Sequence, residues 1–252
     1  MQALVNRRAF VKAEDADGNT PLLLAMKEGH WDVADYLLTN QVQKADLSTV
    51  NLAGDSPLLF AALRSNKRFT KLCLDSPHSN LAAVYGRNKW TLLMRAINDL
   101  DESDEVIKLI ADAMVARGMG LNQRAADGKT AAFVCVFNGK VELLKWLLMR
   151  GLDLLCQDDN GNNCLHFAGS IDVAQVLLEA GVDVNSKNHR GNTPLHSSYA
   201  FSGETIDLLL NNRANPNIRN NSNKRPCDAV GKAMEMSFDG SHHNASCGLF
   251  IQ

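Results

Sequence analysis

The side chains in this chain that could carry chemistry are few and far apart. Asp158 and Asp159 are adjacent carboxylates, and two carboxylates held in different environments are the usual equipment of general acid–base chemistry. His166 and His196 each stand three residues after a cap-forming residue, Asn163 and Thr193. An imidazole there suits proton transfer or metal ligation. His242 and His243 precede Cys247, a donor set for zinc whose spacing matches no established site. The six cysteines, Cys73, Cys135, Cys156, Cys164, Cys227 and Cys247, contain no C-x-x-C pair. They read as small core residues rather than as a zinc or redox motif. The chain has no G-x-S-x-G, no phosphate-binding loop and no H-E-x-x-H. Gly118-Met119-Gly120 does not link a strand to a helix, so it is not a phosphate cradle. No catalytic, cofactor-binding or metal-binding residue is assigned.

The elements that hold these residues are copies of one pattern. DDNGNNCLHFA begins at Asp158 and NHRGNTPLHSS at Asn188, with VLLEAGVDVN between them. The residue in the threonine position recurs as Thr20, Ser56, Thr91, Thr130, Asn163, Thr193 and Arg225, in steps of 36, 35, 39, 33, 30 and 32 residues. This pattern resembles the ankyrin repeat, with its period of about 33 residues and its T-P-L-H signature. The resemblance covers nearly the whole chain. It implies an all-α, ankyrin-repeat solenoid of about seven repeats, in which helix-turn-helix units are linked by β-hairpin loops. The implied domain runs over 1–236, with a partial unit at 1–13, repeats from 14 and a half-repeat cap at 219–236. A loose polar tail follows at 237–252. Residue 1 falls inside a repeat, so either Met1 opens a minimal cap or the chain is cut from a longer protein, the second being the expectation.

The local chemistry agrees with the repeat. Gly18 supplies a turn of positive φ, Thr20 an N-cap hydroxyl, and Pro21 a first helical residue whose missing N–H costs nothing. Three departures carry structural expectations. In the third repeat Lys89, after Asn88, stands where the turn glycine belongs; Asn tolerates the left-handed region better than Lys, so this hairpin is expected to shift by one residue. The second helix of that repeat, from Asp104 to about Arg117, is four residues longer, roughly one turn. The fifth repeat lacks three residues between its helices, so its turn is expected to be tighter.

Composition narrows the function further. A net charge of -2, from 26 basic and 28 acidic residues, is no footprint for a polyanion and argues against nucleic acid. No apolar run approaches the roughly 20 residues of a membrane span, and no signal-peptide core is visible at the start. Thiols used as core residues suit a reducing compartment, the cytoplasm or the nucleus.

The resemblance implies a non-catalytic protein-protein interaction scaffold, monomeric on its own, that binds a partner protein on its concave surface without a cofactor. Two alternatives are a targeting or regulatory domain of a larger enzyme and an assembly chaperone of a multiprotein complex. His166 and His196 would tie hairpins together, and Asp158 would bond turn amides. Carried over by register, the partner-binding residues are Asp17, Asn19, Lys27 and Glu28, then Asp55 and Arg64, then Arg87, Trp90, Asn98 and Asp99. The later units give Lys129, Phe137 and Asn138, then Asn160 and Asn162, then Arg190, Asn192, Tyr199 and Phe201. Trp90 and Phe137 are expected to anchor one aromatic patch. Asn185, in Asp183-Val184-Asn185 after Leu177, resembles an acceptor of asparaginyl hydroxylation.

Overall fold

A computed structural model describes residues 11–39, 45–77, 79–100, 104–200 and 202–228, the side chains of 198–200 excepted. The partial unit 1–10, Phe201, the end of the half-repeat cap, the tail 237–252, His242, His243 and Cys247 lie outside the described residues. The chain divides into two compact units, 1–121 and 122–252.

In the first unit, α1 (Pro21–Glu28), α3 (Pro57–Leu63) and α5 (Leu92–Asp99) are first helices of successive repeats, and α2 (Trp31–Thr39), α4 (Lys67–Asp75) and α6 (Asp104–Ala116) are the second helices. α1 packs on α3 and α3 on α5, while α4 packs on α6. The caps follow from sequence: Thr20, Ser56 and Thr91 hydroxyls accept from the backbone N–H groups of Leu23, Leu59 and Met94 at 3.3, 3.2 and 3.2 Å. α6 has 13 residues against nine in α2 and α4, the extra turn expected from its length. Its buried residues Val106, Ile107, Ile110, Ala111 and Met114 form one stripe of helical period.

In the second unit, α7 (Ala131–Phe137) is a regular first helix, and α8 (Val141–Leu148), α9 (Ile171–Glu179) and α10 (Gly203–Asn211) are second helices. The first helices of the next two repeats are 3-10 helices, Cys164–Phe167 and Pro194–Ala200. The earlier of them is four residues long, because the three missing residues remove a turn, and Ala168 leads at once to the Ser170 cap of α9. α7 packs on the first 3-10 helix and that on the second; α9 packs on α8 and on α10.

A five-residue turn connects the repeats and explains their asparagines. In the turn starting at Asp158, the Asp158 carboxylate accepts from the backbone N–H groups of Asn160 and Asn162, both at 2.9 Å. The N–H of Gly161, at φ 76°, donates to the Asp158 carbonyl at 3.0 Å. Asp15, Asn51, Asn188 and Asn220 hold their turns in the same way. Four pairs of successive turns are then tied by a backbone bond, and three of the four by a side-chain amide as well. A backbone N–H crosses to the preceding turn from Leu52 to Asp17 (2.9 Å), Asp159 to Asp127 (3.0 Å), His189 to Asn160 (2.9 Å) and Asn221 to Arg190 (3.0 Å). A side-chain amide crosses from Asn51 to Asn19 (2.9 Å), Asn188 to Asn162 (2.7 Å) and Asn220 to Asn192 (2.7 Å).

The third turn departs from this pattern in the way its residues require. Strands β1 (Val84–Tyr85) and β2 (Trp90–Thr91) pair Val84 with Thr91 and Tyr85 with Trp90. Elsewhere Gln157 pairs with the cap Asn163, six residues on; here the partner of the cap Thr91 lies seven residues back, so the register shifts by one. The left-handed position nevertheless falls on Lys89, at φ 51°, rather than on Asn88. Among the described residues no backbone bond joins Arg87 to Ala53, so the ladder is interrupted between the second and third turns.

Candidate functional site

The histidines that could have carried catalysis are structural ties. His166 Nδ1 accepts from the backbone N–H of Asn163 at 3.2 Å, and its Nε2 donates to the Asn192 carbonyl of the next turn at 3.0 Å. His196 repeats this with the N–H of Thr193 and the carbonyl of Lys224, both at 3.0 Å. For His196, whose Nδ1 also lies 3.0 Å from the Thr193 hydroxyl, the pattern gives the neutral tautomer with the proton on Nε2, while His166 Nδ1 also meets the Asn163 side-chain oxygen at 2.7 Å. Burial agrees, pushing both pKa values below the usual imidazole range. The carboxylate pair resolves the same way: Asp158 is buried among turn amides, and Asp159 pairs with Arg124 at 2.9 Å. The Cys156 thiol, half-buried, is drawn down to about 7, chiefly by its hydrogen bond with Cys164 and then by Thr130, whose hydroxyl lies 3.3 Å from it. The Asn185 amide donates to Arg213 at 3.0 Å and accepts from Asn215 at 2.8 Å, so this predicted modification position spans two loops.

The second unit contains an open depression of about 650 Å³. Phe137, at the end of α7 and 76% exposed, stands at one side. Asn160 and Asn162 come from one turn, and His189, Arg190 and Asn192 from the next. His166, Phe167, His196 and Ser197, on the two 3-10 helices, line the remainder. The lining is held in place by the bonds already described. Phe167 meets Phe133 edge-on at 5.8 Å between centroids, with the Lys129 ammonium 6.0 Å from its ring. The His189 ring lies over Gly161, where an added Cβ would come within 2.8 Å of it. Gly161 is thus required both by its φ and by that close approach. Five sequence-predicted residues, Phe137, Asn160, Asn162, Arg190 and Asn192, are brought together here. Sequence reasoning passed over Phe167 and His189.

The first unit has a second depression, about 520 Å³, which gathers the predicted Arg87, Trp90, Asn98 and Asp99. Asp99 is bound by Arg95 at 2.8 Å, and Trp90 is half-buried beside Tyr85.

The remaining predicted residues are dispersed. Asp17, Lys27, Glu28, Arg64 and Asn138 are exposed, and the Arg64 guanidinium donates to the Lys27 carbonyl. Asp55 and Lys129 are half-buried, Lys129 paired with Asp127. Asn19 is 3% exposed, and its amide is used by Asp15 and Asn51. The expectation that Asn19 faces a partner is corrected to a bond between turns, because the second position it would contact is its own neighbouring hairpin. Phe201 and the side chain of Tyr199 lie outside the described residues.

Known proteins share this arrangement. The description of ankyrin repeats in three copies matches residues 111–188 and 133–220, and that of the single ankyrin repeat matches 17–52. The E3 ubiquitin-protein ligase KEG of Arabidopsis thaliana is 25% identical over 163 residues, 64% of this chain and 7% of that protein. The probable E3 ubiquitin-protein ligase XBOS32 of Oryza sativa subsp. japonica is 30% identical over 141 residues, 55% of this chain and 25% of that protein. The chain therefore spans a quarter or less of these curated relatives. Among solved structures, the ankyrin repeat domain of Bcl-3, a member of the IkappaB family, superposes with a TM-score of 0.68 at 24% identity, covering 87% of this chain and 99% of that one. Ankyrin repeats form protein–protein interaction modules, typically non-catalytic ones. No helix among the described residues is long and apolar enough to cross a membrane. With its turns, its histidine ties and matches over more than half of its length, the chain belongs to the ankyrin-repeat family.

Proposed function

We propose that this chain is a non-catalytic binding module that engages a partner protein through the depression around Phe137. The observation that carries the reading is the Phe137 ring. A large aromatic left 76% exposed beside a depression with hydrogen-bonded walls is a ready contact for an apolar side chain. The walls are already ordered by the turn-to-turn bonds, so little conformational entropy is lost on binding. Trp90, with Arg87, Asn98 and Asp99, supplies a further contact surface in the first unit. The reading extends to a reducing compartment, the cytoplasm or nucleus, in which the buried thiols of Cys73, Cys135 and Cys164 serve as apolar core groups.

The test is Phe137→Ala, with a partner recovered by affinity purification and then purified. Binding should fall by roughly tenfold or more, as for loss of a hot-spot aromatic. The melting temperature should barely move, since the ring is already in water. Unchanged affinity together with a lowered melting temperature would show that Phe137 is a packing residue and defeat the proposal.

A further inference from the structure

The charges around this depression are unevenly matched. On the turns at its Phe137 side they are neutralised: Lys129 pairs with Asp127, and Arg124 with Asp159 at 2.9 Å. On the far side they are not. Arg190 is exposed, and neither its guanidinium nor the Lys224 ammonium has a carboxylate within ion-pair distance among the described residues. Their backbones serve the turns, Arg190 accepting from Asn221 and Lys224 from His196, but their side chains take no part in those bonds. An adjoining depression of about 470 Å³ shares His189, Arg190 and Asn192 with the first and reaches Lys224. Neither depression is lined by any aspartate or glutamate. A chain of net charge -2 therefore presents one continuous groove that is apolar at Phe137 and only cationic at Arg190 and Lys224.

We propose that this groove binds an acidic, extended peptide segment of a partner, with an apolar side chain against Phe137 and carboxylates at Arg190 and Lys224. This rests on the reading of the depression as the binding site and adds the chemistry of what enters it. Phe137 and Arg190 belong to helical units two apart, and adjacent helices pack roughly 8–10 Å apart. The distance to be spanned is then roughly 16–20 Å, or about five or six extended residues. The side-chain oxygens of Asn162 and Asn192 already accept from Asn188 and Asn220, so these acceptors of the groove are held within the turns. Two cations are also too few to follow a nucleic-acid backbone, whose binding scales with the number of phosphates neutralised.

The experiment uses the full chain to select from a random library of twelve-residue peptides, followed by synthesis of the selected peptides with a fluorescent label. Anisotropy then gives affinities for the wild type, for Phe137→Ala and for the double variant Arg190→Glu, Lys224→Glu. The expected result is an excess of Asp and Glu about five or six positions from an aromatic or aliphatic residue. The double variant should lose affinity at least tenfold, and rising salt should weaken the wild-type complex. Equal melting temperatures would show that the charge reversal leaves the fold intact. Peptides without acidic excess that still depend on Phe137 would overturn the acidic inference and leave the binding-module reading standing. Peptides insensitive to all three substitutions would overturn both. A single-stranded oligonucleotide that binds more tightly than the selected peptides, and loses binding in the double variant, would replace the peptide with a nucleic acid.

Discussion

Lys89 carries a backbone conformation that its side chain does not favour. At φ 51° its Cβ crowds the following carbonyl, at a cost of about 1–2 kcal/mol for an L-residue. Glycine has no Cβ, occupies the matching place in the turns at Gly18, Gly54, Gly128, Gly161 and Gly191, and would relieve the strain. Lys89→Gly should therefore raise stability by about 1 kcal/mol, less the extra flexibility glycine gives the unfolded chain. Urea unfolding followed by circular dichroism measures it, and a lower midpoint would mean that the Lys89 side chain makes a stabilising contact outweighing the strain. The position was legible in advance, because a lysine stood where every neighbouring copy has a glycine or asparagine. Which residue would turn left-handed was not: Asn88 is the better intrinsic candidate, but the pairing of Tyr85 with Trp90 fixes a four-residue loop and places the kink on Lys89.

At the scale of the element, the two histidine ties make turn packing sensitive to acid. His166 and His196 must be neutral for Nδ1 to accept, and burial lowers both pKa values in the folded chain. The unfolded chain, near the usual value of about 6.5, takes up protons that the folded one refuses. Their contribution is thus complete above pH about 6.5 and is lost as pH falls below it, by at most about 1.4 kcal/mol per pH unit for a fully buried histidine such as His166. The urea midpoint, read by fluorescence of Trp146 in α8, should fall between neutral pH and pH about 5.5, and His166→Gln should flatten that slope. An identical slope in the variant would count against the tie. Element types followed from the repeat resemblance with two shortfalls. The three residues missing after Phe167 were read as a tighter turn, whereas the helix itself is cut to four residues, and Pro194-Leu195-His196 reads like the α-helical start at Pro21 yet forms a 3-10 helix. Its neighbour, on which it packs, is the truncated Cys164–Phe167 helix. The depression beside both followed from this packing, so His166, Phe167 and His196 could not be recognised as its lining from their own repeats.

For the molecule as a whole, the turn bonds also bear on how the protein ages. Asn138-Gly139 and Asn160-Gly161 are the dipeptides most open to spontaneous deamidation, since glycine leaves its own nitrogen free to attack the asparagine side chain and close a succinimide ring. In the folded chain those nitrogens are already committed: Gly161 donates to the Asp158 carbonyl at 3.0 Å, and Gly139, in the turn after α7, to the Val136 carbonyl at 3.1 Å. A positive φ at each glycine, 76° and 65°, fixes the local geometry as well. Peptide mapping after weeks at mildly alkaline pH should find both asparagines largely intact in native protein and converted to aspartate and isoaspartate in a urea-unfolded sample. Equal rates in the two samples would show that the turns open too often to protect them. Conversion at Asn160 would put a carboxylate beside Arg190 in the groove, so a chemical clock that the fold holds stopped would, once released, supply from within the acid that the groove otherwise takes from a partner.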